Sequence, residues 1–291
     1  MVTDPTNDPT NDPDSPNGVR LLAGQVAVVT GGGGGIGGAI SALFAEHGAH
    51  VVIVDNDQAR AAGAQQAIQS AGGAATALVL DVREATTAAQ VRAAVLAAHG
   101  RVDVLVNNVG HYLPRSGNFA ESSEADWQGL YEINFLHVLR MTRALLPAMI
   151  ERRSGTIVNV SSVEGLRGYP PDPVYGAVKA AVIQFTKSLA LQVGSHGVRV
   201  NGIAPDVTET LQVPYSRWVS KEHEALWPLW VPAGRVGTAS DQAQAALFLA
   251  SRQSAFITGH TIPVDGGTAA AGGWFRSARG GWTNRPVEGP A

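Results

Sequence analysis

The stretch TGGGGGIG, Thr30 to Gly37, decides the fold, because five consecutive glycines form either a slack spacer or a loop shaped around a phosphate. The flanks separate the two. Upstream lies the apolar run QVAVVT; downstream, Ile36, Ile40, Leu43 and Phe44 fall at i, i+4, i+7 and i+8, the apolar stripe of a helix. A spacer has no reason to sit at a strand-to-helix junction. There, missing Cβ atoms let the backbone approach a pyrophosphate while the first N–H groups of the helix face its charge. Gly31, Gly33, Gly34, Gly35, Ile36 and Gly37 are therefore candidate cofactor-binding residues. The string fits GxxxGxG from Gly31 and GxGxxG from Gly33, so both registers stay open.

Outward from this loop, short β-branched runs alternate with Ala-rich helical stretches: HVVIVD, ATALVLD, VDVLVNN, TIVNVSS, VRVNGIAP and HTIPVDGG follow the first strand. A long helix is expected around Trp127 to Ile150 and another from about Tyr175 to Val193. Seven strands separated by helical crossovers pair in parallel, and runs apolar on both faces need helices on both sides of the sheet. The expected fold is α/β: one Rossmann-type, doubly wound, parallel seven-stranded domain over 20–267, with ligand at the carboxyl ends of the strands. Residues 1–19 repeat TNDP, have almost nothing to bury and read as a disordered arm. Residues 206–236 read as a lid and 268–291 as a C-terminal extension.

The 291 residues, 45% of them apolar, suffice for a full core, and a net charge of -3 without a basic block suggests neither nucleic-acid nor membrane partners. With no cysteine there is no disulfide, thiolate nucleophile or cysteine-ligated metal, and the chain reads as soluble and cytoplasmic. No GxSxG elbow or HExxH occurs, and His47 and His50 read as surface residues rather than metal ligands. No metal is expected.

HVVIVD ends in Asp55, where a carboxylate can accept hydrogen bonds from ribose hydroxyls and would repel a ribose 2′-phosphate. Its neighbours Asn56, Asp57 and Gly32 offer no cation. The expected cofactor is NAD rather than NADP. Asp81, at the end of the third run, is a candidate for the adenine or for a helix N-cap, with Val82 beside it.

Tyr175 and Lys179 are four apart on a predicted helix and share a face. Ser162 ends the strand thirteen residues upstream of Tyr175, and Asn134 lies within the preceding helix. A ketone taking up hydride needs a proton, and a free phenol with a pKa near about 10 is too weak an acid at neutral pH. A nearby ammonium would stabilise phenolate and pull that pKa down. Ser162 could hold the substrate oxygen, and Asn134, mildly unfavourable in mid-helix, could bind water.

With these residues in place the chain resembles the short-chain dehydrogenase/reductase family in its form of roughly 250 residues. The resemblance runs from about Leu22 to Gly267, on TGGGGGIG, Asp81, NNVG at 107–110, Asn134, Ser162, YGAVK at 175–179 and the closing VDGG. It implies that Tyr175 is the general acid or base and that Lys179 lowers its pKa and binds the nicotinamide ribose. It further implies that Ser162 orients the carbonyl, that Asn134 anchors a relay water, and that Asn107, Gly110, Pro205, Thr208 and Thr210 contact the cofactor. A homotetramer, or a dimer, is implied in the same way. One departure stands out: Pro205 is followed by Asp206 where the family has glycine.

His111, Tyr112, Glu164 and Tyr169 flank the expected carbonyl site as candidate substrate readers. The lid carries Tyr215, Trp218, Trp227 and Trp230, which suggests a bulky, hydrophobic secondary alcohol or ketone, steroid-like, cyclic or aromatic. Its rivals are a 3-oxoacyl-thioester reductase, usually NADPH-dependent and disfavoured by Asp55, and a non-catalytic dinucleotide sensor, disfavoured by the intact Asn134, Ser162, Tyr175 and Lys179. Trp274, Phe275 and Trp282 suggest that the extension docks on a neighbouring subunit.

Overall fold

The computed structural model describes residues 20–113, 118–272, 275–276 and 282–284. The expected arm at 1–19 and Trp274 lie outside them. Seven strands, β1 (Val26–Thr30), β2 (His50–Asp55), β3 (Ala74–Val79), β4 (Val104–Asn107), β5 (Gly155–Val160), β6 (Val198–Pro205) and β7 (Thr261–Val264), form one sheet in the order β3-β2-β1-β4-β5-β6-β7. Every pairing is parallel. The order reverses between β1 and β4, which opens a crevice at their carboxyl ends.

Alternation along the strands splits the core in two. Ala27, Val29, Val51, Ile53, Val104 and Val106 face one side and pack with Ile40 and Phe44 of α1 (Gly35–Glu46) and with α10 (Ala239–Ala250), the tenth α-helix among the described residues. Val28, Val52, Val54, Leu105 and Ile157 face the other, against α3 (Thr87–His99), α5 (His137–Glu151) and α6 (Pro173–Val193). The remaining long helix, α2 (Gln58–Ser70), follows β2.

The helix expected around Trp127 to Ile150 is interrupted. It consists of α4 (Glu124–Tyr131), one wide π-type turn (Glu132–Leu136) and α5, and Asn134 sits inside the wide turn. Such turns cluster at functional sites because they re-aim side chains and free backbone carbonyls.

The 206–236 segment, read from the sequence as a lid and so labelled below, folds as α7 (Tyr215–Trp218), α8 (Lys221–Glu224) and α9 (Trp227–Trp230). It has a core of its own, built from Val207, Tyr215, Val219, Trp227, Trp230 and Val231. Its two ends are joined at the root, where Gly237 N–H donates to Val207 O (2.8 Å) and Glu209 N–H to Gly237 O (2.8 Å). Beyond β7 come α11 (Thr268–Ala271) and a two-stranded antiparallel ribbon, Phe275–Arg276 with Trp282–Thr283. Among the described residues no helix is long and apolar enough to cross a membrane.

Candidate active site

The glycine loop adopts the first of the two registers. Gly31 and Gly35 have positive φ (64° and 54°), and a Cβ on Gly37 would overlap the Gly31 carbonyl. These are positions 1, 5 and 7 of GxxxGxG. The N-cap of α1 is Gly34, which has no side chain with which to cap the first N–H groups of the helix. Ser41 Oγ, buried beneath Gly32, is likewise unpartnered. The cradle therefore fits a pyrophosphate. Thr210 faces it, with its Cβ 3.9 Å from where one on Gly35 would stand, and Ile36 packs downward onto the core.

Asp55, 6% exposed, closes the far end of this groove. Its carboxylate accepts from Gly33 N–H (3.1 Å), Asp57 N–H (3.0 Å) and Arg60 Nη2 (3.1 Å). The expectation that no cation stands here is corrected: Arg60, on the first turn of α2, pairs with Asp55 and Asp57 while remaining half exposed. Asp81 lies two residues beyond β3, and Arg83 grips its carboxylate from Nη2 (2.6 Å) and Nε (3.1 Å), holding its pKa below the usual range. Val82 is buried in the second core.

One further expectation changes. Asn107 does not face the crevice: it is buried, and its amide donates to Asn159 Oδ1 (2.9 Å) and Thr142 Oγ1 (3.2 Å). The crevice-side residue is Asn108, whose amide donates to Thr30 O (2.9 Å) and lies against Gly31 and Gly37. Alternation along VLVNN could have separated the two. Thr208 directs its hydroxyl to Asp206 O and accepts from Gln242 Nε2 (3.0 Å), which fixes the lid root beside Pro205 at the end of β6.

On the other wall, Ser162, Tyr175 and Lys179 converge. Ser162 follows β5 and accepts from Glu164 N–H (3.2 Å). Tyr175 lies in the first turn of α6, whose N-cap Asp172 accepts from Val174 and Tyr175 N–H (both 3.0 Å). Lys179, one turn later and 2% exposed, donates to Val160 O (3.3 Å) and stands 5.7 Å from the centroid of the Tyr175 ring. A Cβ on Gly110 would be 2.7 Å from Lys179 Nζ and 3.0 Å from Asn134 Oδ1, so all three share one small space. Asn134 donates to His111 O and Leu130 O (both 2.9 Å) and accepts from His111 N–H (3.0 Å). Both hydrogens of that amide are therefore spent on backbone carbonyls.

The electrostatics differ from the simple pairing expected of phenol and ammonium. Burial raises the Tyr175 pKa, Tyr169 adds to the rise, and the hydrogen bond with Ser162 opposes it. Burial also lowers Lys179 to about 8. In a dry wall each charge is costly, so the neutral phenol, a proton donor, is the favoured form.

The substrate candidates separate as well. His111 Nδ1 accepts from Leu113 N–H (2.8 Å), and burial lowers its pKa. Tyr169 lies 5.5 Å from Tyr175, ring to ring, and Tyr112 donates from its hydroxyl to Gln212 O on the lid (3.3 Å). Glu164 is bound by Arg167 (3.1 Å). Trp227 and Trp230 are buried inside the lid, Trp227 edge-on to Tyr215, while Trp218 is 37% exposed.

A phosphate cradle and a hydroxyl-bearing wall on the two sides of one parallel-sheet crevice define a dinucleotide-dependent oxidoreductase. The family model described as enoyl-(acyl carrier protein) reductase matches residues 31–269. The chain belongs to the short-chain dehydrogenase/reductase family. It is 42% identical over 251 residues to a 3-oxoacyl-[acyl-carrier-protein] reductase, FabG, of Chlamydia muridarum, covering 86% of this chain and 99% of that one. The FabG of Escherichia coli is 37% identical over 244 residues, covering 84% and 97%. Among solved structures, gox2181 superposes with a TM-score of 0.79 at 32% identity, covering 86% of this chain and 98% of that one.

Proposed function

We propose that the chain reduces the 3-oxo group of an acyl thioester with NADH. The observation that carries the substrate class is similarity along nearly the whole length of proteins named 3-oxoacyl-[acyl-carrier-protein] reductase. Support for a bulky ring substrate weakens in the structure, because Trp227 and Trp230 are spent on the core of the lid. A sensor has no use for the Ser162, Tyr175 and Lys179 cluster.

In this reading Asp55, the loop at Gly31–Gly37 and the wall bearing Tyr175 would hold the dinucleotide, which would supply hydride for the carbonyl carbon when bound. Ser162 hydrogen-bonds the carbonyl oxygen, Tyr175 donates its proton to that oxygen, and Lys179 binds the nicotinamide ribose and steadies the phenolate left behind. The assay is loss of reduced-nicotinamide absorbance with a 3-oxobutanoyl thioester. Turnover of cyclic ketones alone would overturn the thioester reading.

The ammonium sets a pH limit. With Lys179 lowered to about 8, its charge is complete below that pH and lost above it. Reductive kcat/KM is expected to fall as pH rises through about 8, and Lys179→Met should remove that limb along with most of the activity. A profile level to pH 10 would contradict the assignment.

Cofactor choice rests on Asp55, whose charge disfavours a 2′-phosphate. Because Arg60 already stands there, Asp55→Asn should release it as a phosphate partner. The kcat/KM ratio of NADPH to NADH is expected to rise about 100-fold, two charge-assisted contacts of roughly 1.5 kcal/mol each. An unchanged ratio would place the discriminating group elsewhere.

A further inference from the structure

Arg167 lies at the meeting of three segments that reach the site separately. Its Nη2 donates to Glu164 Oε1 (3.1 Å), two residues from Ser162, and to Asp206 Oδ2 (2.8 Å), the first residue beyond β6. Thr268 at the start of α11 donates its hydroxyl to the same Asp206 carboxylate. The three charged side chains are almost enclosed, 12% exposed for Arg167, 8% for Glu164 and 5% for Asp206. Two carboxylates on one guanidinium are a poor way to gain stability, since desolvation of three charges offsets most of their attraction. The arrangement does fix geometry, because a planar fork constrains both partners in direction as well as distance.

We propose that Arg167 is a positioning residue that locks the turn carrying Ser162 to the root of the lid, so that the hydroxyl facing the substrate carbonyl and the roof of the crevice hold one relative placement. The proposal rests on the reading of Ser162 given above. Asp206, standing where the family resemblance calls for glycine, is then the lid's half of the clamp. Behind it, Thr208 and Gln242 tie the same root to α10. On the Ser162 side, Glu164 gives its backbone N–H to the serine oxygen and its carboxylate to Arg167, so a shift of the guanidinium is passed directly to that oxygen.

Removing the cation leaves the Glu164 and Asp206 carboxylates in one dry space without the donor they share, which favours their moving apart.

The test uses the full chain carrying Arg167→Met, with and without Asp206→Asn, and two readouts. Amide hydrogen exchange, which needs no turnover, is followed at Gly165, Leu166 and Arg167 and at Glu209 and Thr210. The values of kcat and KM are determined separately with the 3-oxobutanoyl thioester. Arg167→Met is expected to speed exchange at least about 10-fold in both segments and to lower kcat about 100-fold while KM changes less than about threefold, as loss of placement at the reacting carbonyl requires. The added Asp206→Asn, which removes one of the two facing carboxylates, should recover several-fold in kcat. Exchange accelerated around residue 167 alone, or an unchanged kcat, would overturn the proposal. Should Arg167→Met not fold, Asp206→Asn alone keeps the shape and must still speed exchange at 165–167; unchanged exchange there overturns the clamp. If the unaltered protein reduces no thioester, the functional reading fails while the exchange result still decides the coupling.

Discussion

Tyr175→Phe is expected to lower kcat at least 1,000-fold while the dissociation constant for NADH changes less than about threefold. The substitution removes one oxygen from a ring that keeps its packing against Tyr169 5.5 Å away, so the fold and the cradle at Gly31–Gly37 are left alone. What disappears is the proton for the carbonyl oxygen. General acid catalysis contributes about 10²–10⁴, and loss of the hydrogen bond with Ser162 leaves that hydroxyl misdirected as well. Stopped-flow turnover beside fluorescence titration of NADH separates the two quantities. Near-normal kcat would remove Tyr175 from the mechanism, and parallel loss of binding and turnover would mean that the ring is a wall of the cofactor site only.

The second large effect concerns the cradle. Gly37→Ala is expected to weaken NADH binding at least 100-fold and to lower Tm, because the new methyl overlaps the Gly31 carbonyl and presses on the Asn108 amide, both backbone-held. Gly38→Ala, one residue along α1, meets nothing nearer than 3.5 Å. It should leave binding intact and stabilise by about 0.5–1 kcal/mol through helix propensity. The pair controls for general disturbance of α1. Equal effects from both substitutions would contradict the GxxxGxG register.

The succession of strands and helices and the residues of both crevice walls are legible in the sequence because each depends on local pattern. Runs such as HVVIVD are short, β-branched and bounded, and TGGGGGIG joins a strand to an apolar stripe. The choice of register is not local: it depends on Asn108, just beyond β4, approaching Gly31 and Gly37, contacts 77 and 71 positions apart. Arg60 is hidden for a related reason: it lies five residues past the strand end, and the first turn of α2 brings its cation back over Asp55. The wide turn at Asn134 has no compositional mark. The lid marks the boundary most sharply. Composition announces aromatic residues in 211–236, and only packing distinguishes Trp227 and Trp230, enclosed with Tyr215, from Trp218 at the surface. Asp206 is legible as a departure, but its partner Arg167, 39 residues earlier, is not.

The most direct test of the central claim, that hydride passes across this crevice to a carbonyl beside Tyr175, is to supply NADH deuterated at nicotinamide C4 with a 3-oxobutanoyl thioester. The product is then examined by NMR and mass spectrometry. Stereospecific labelling predicts a single deuterium at C3 of the 3-hydroxy product when one C4 face is labelled and none when the other is. Product without label from either face, or no product with any ketone, would contradict the account.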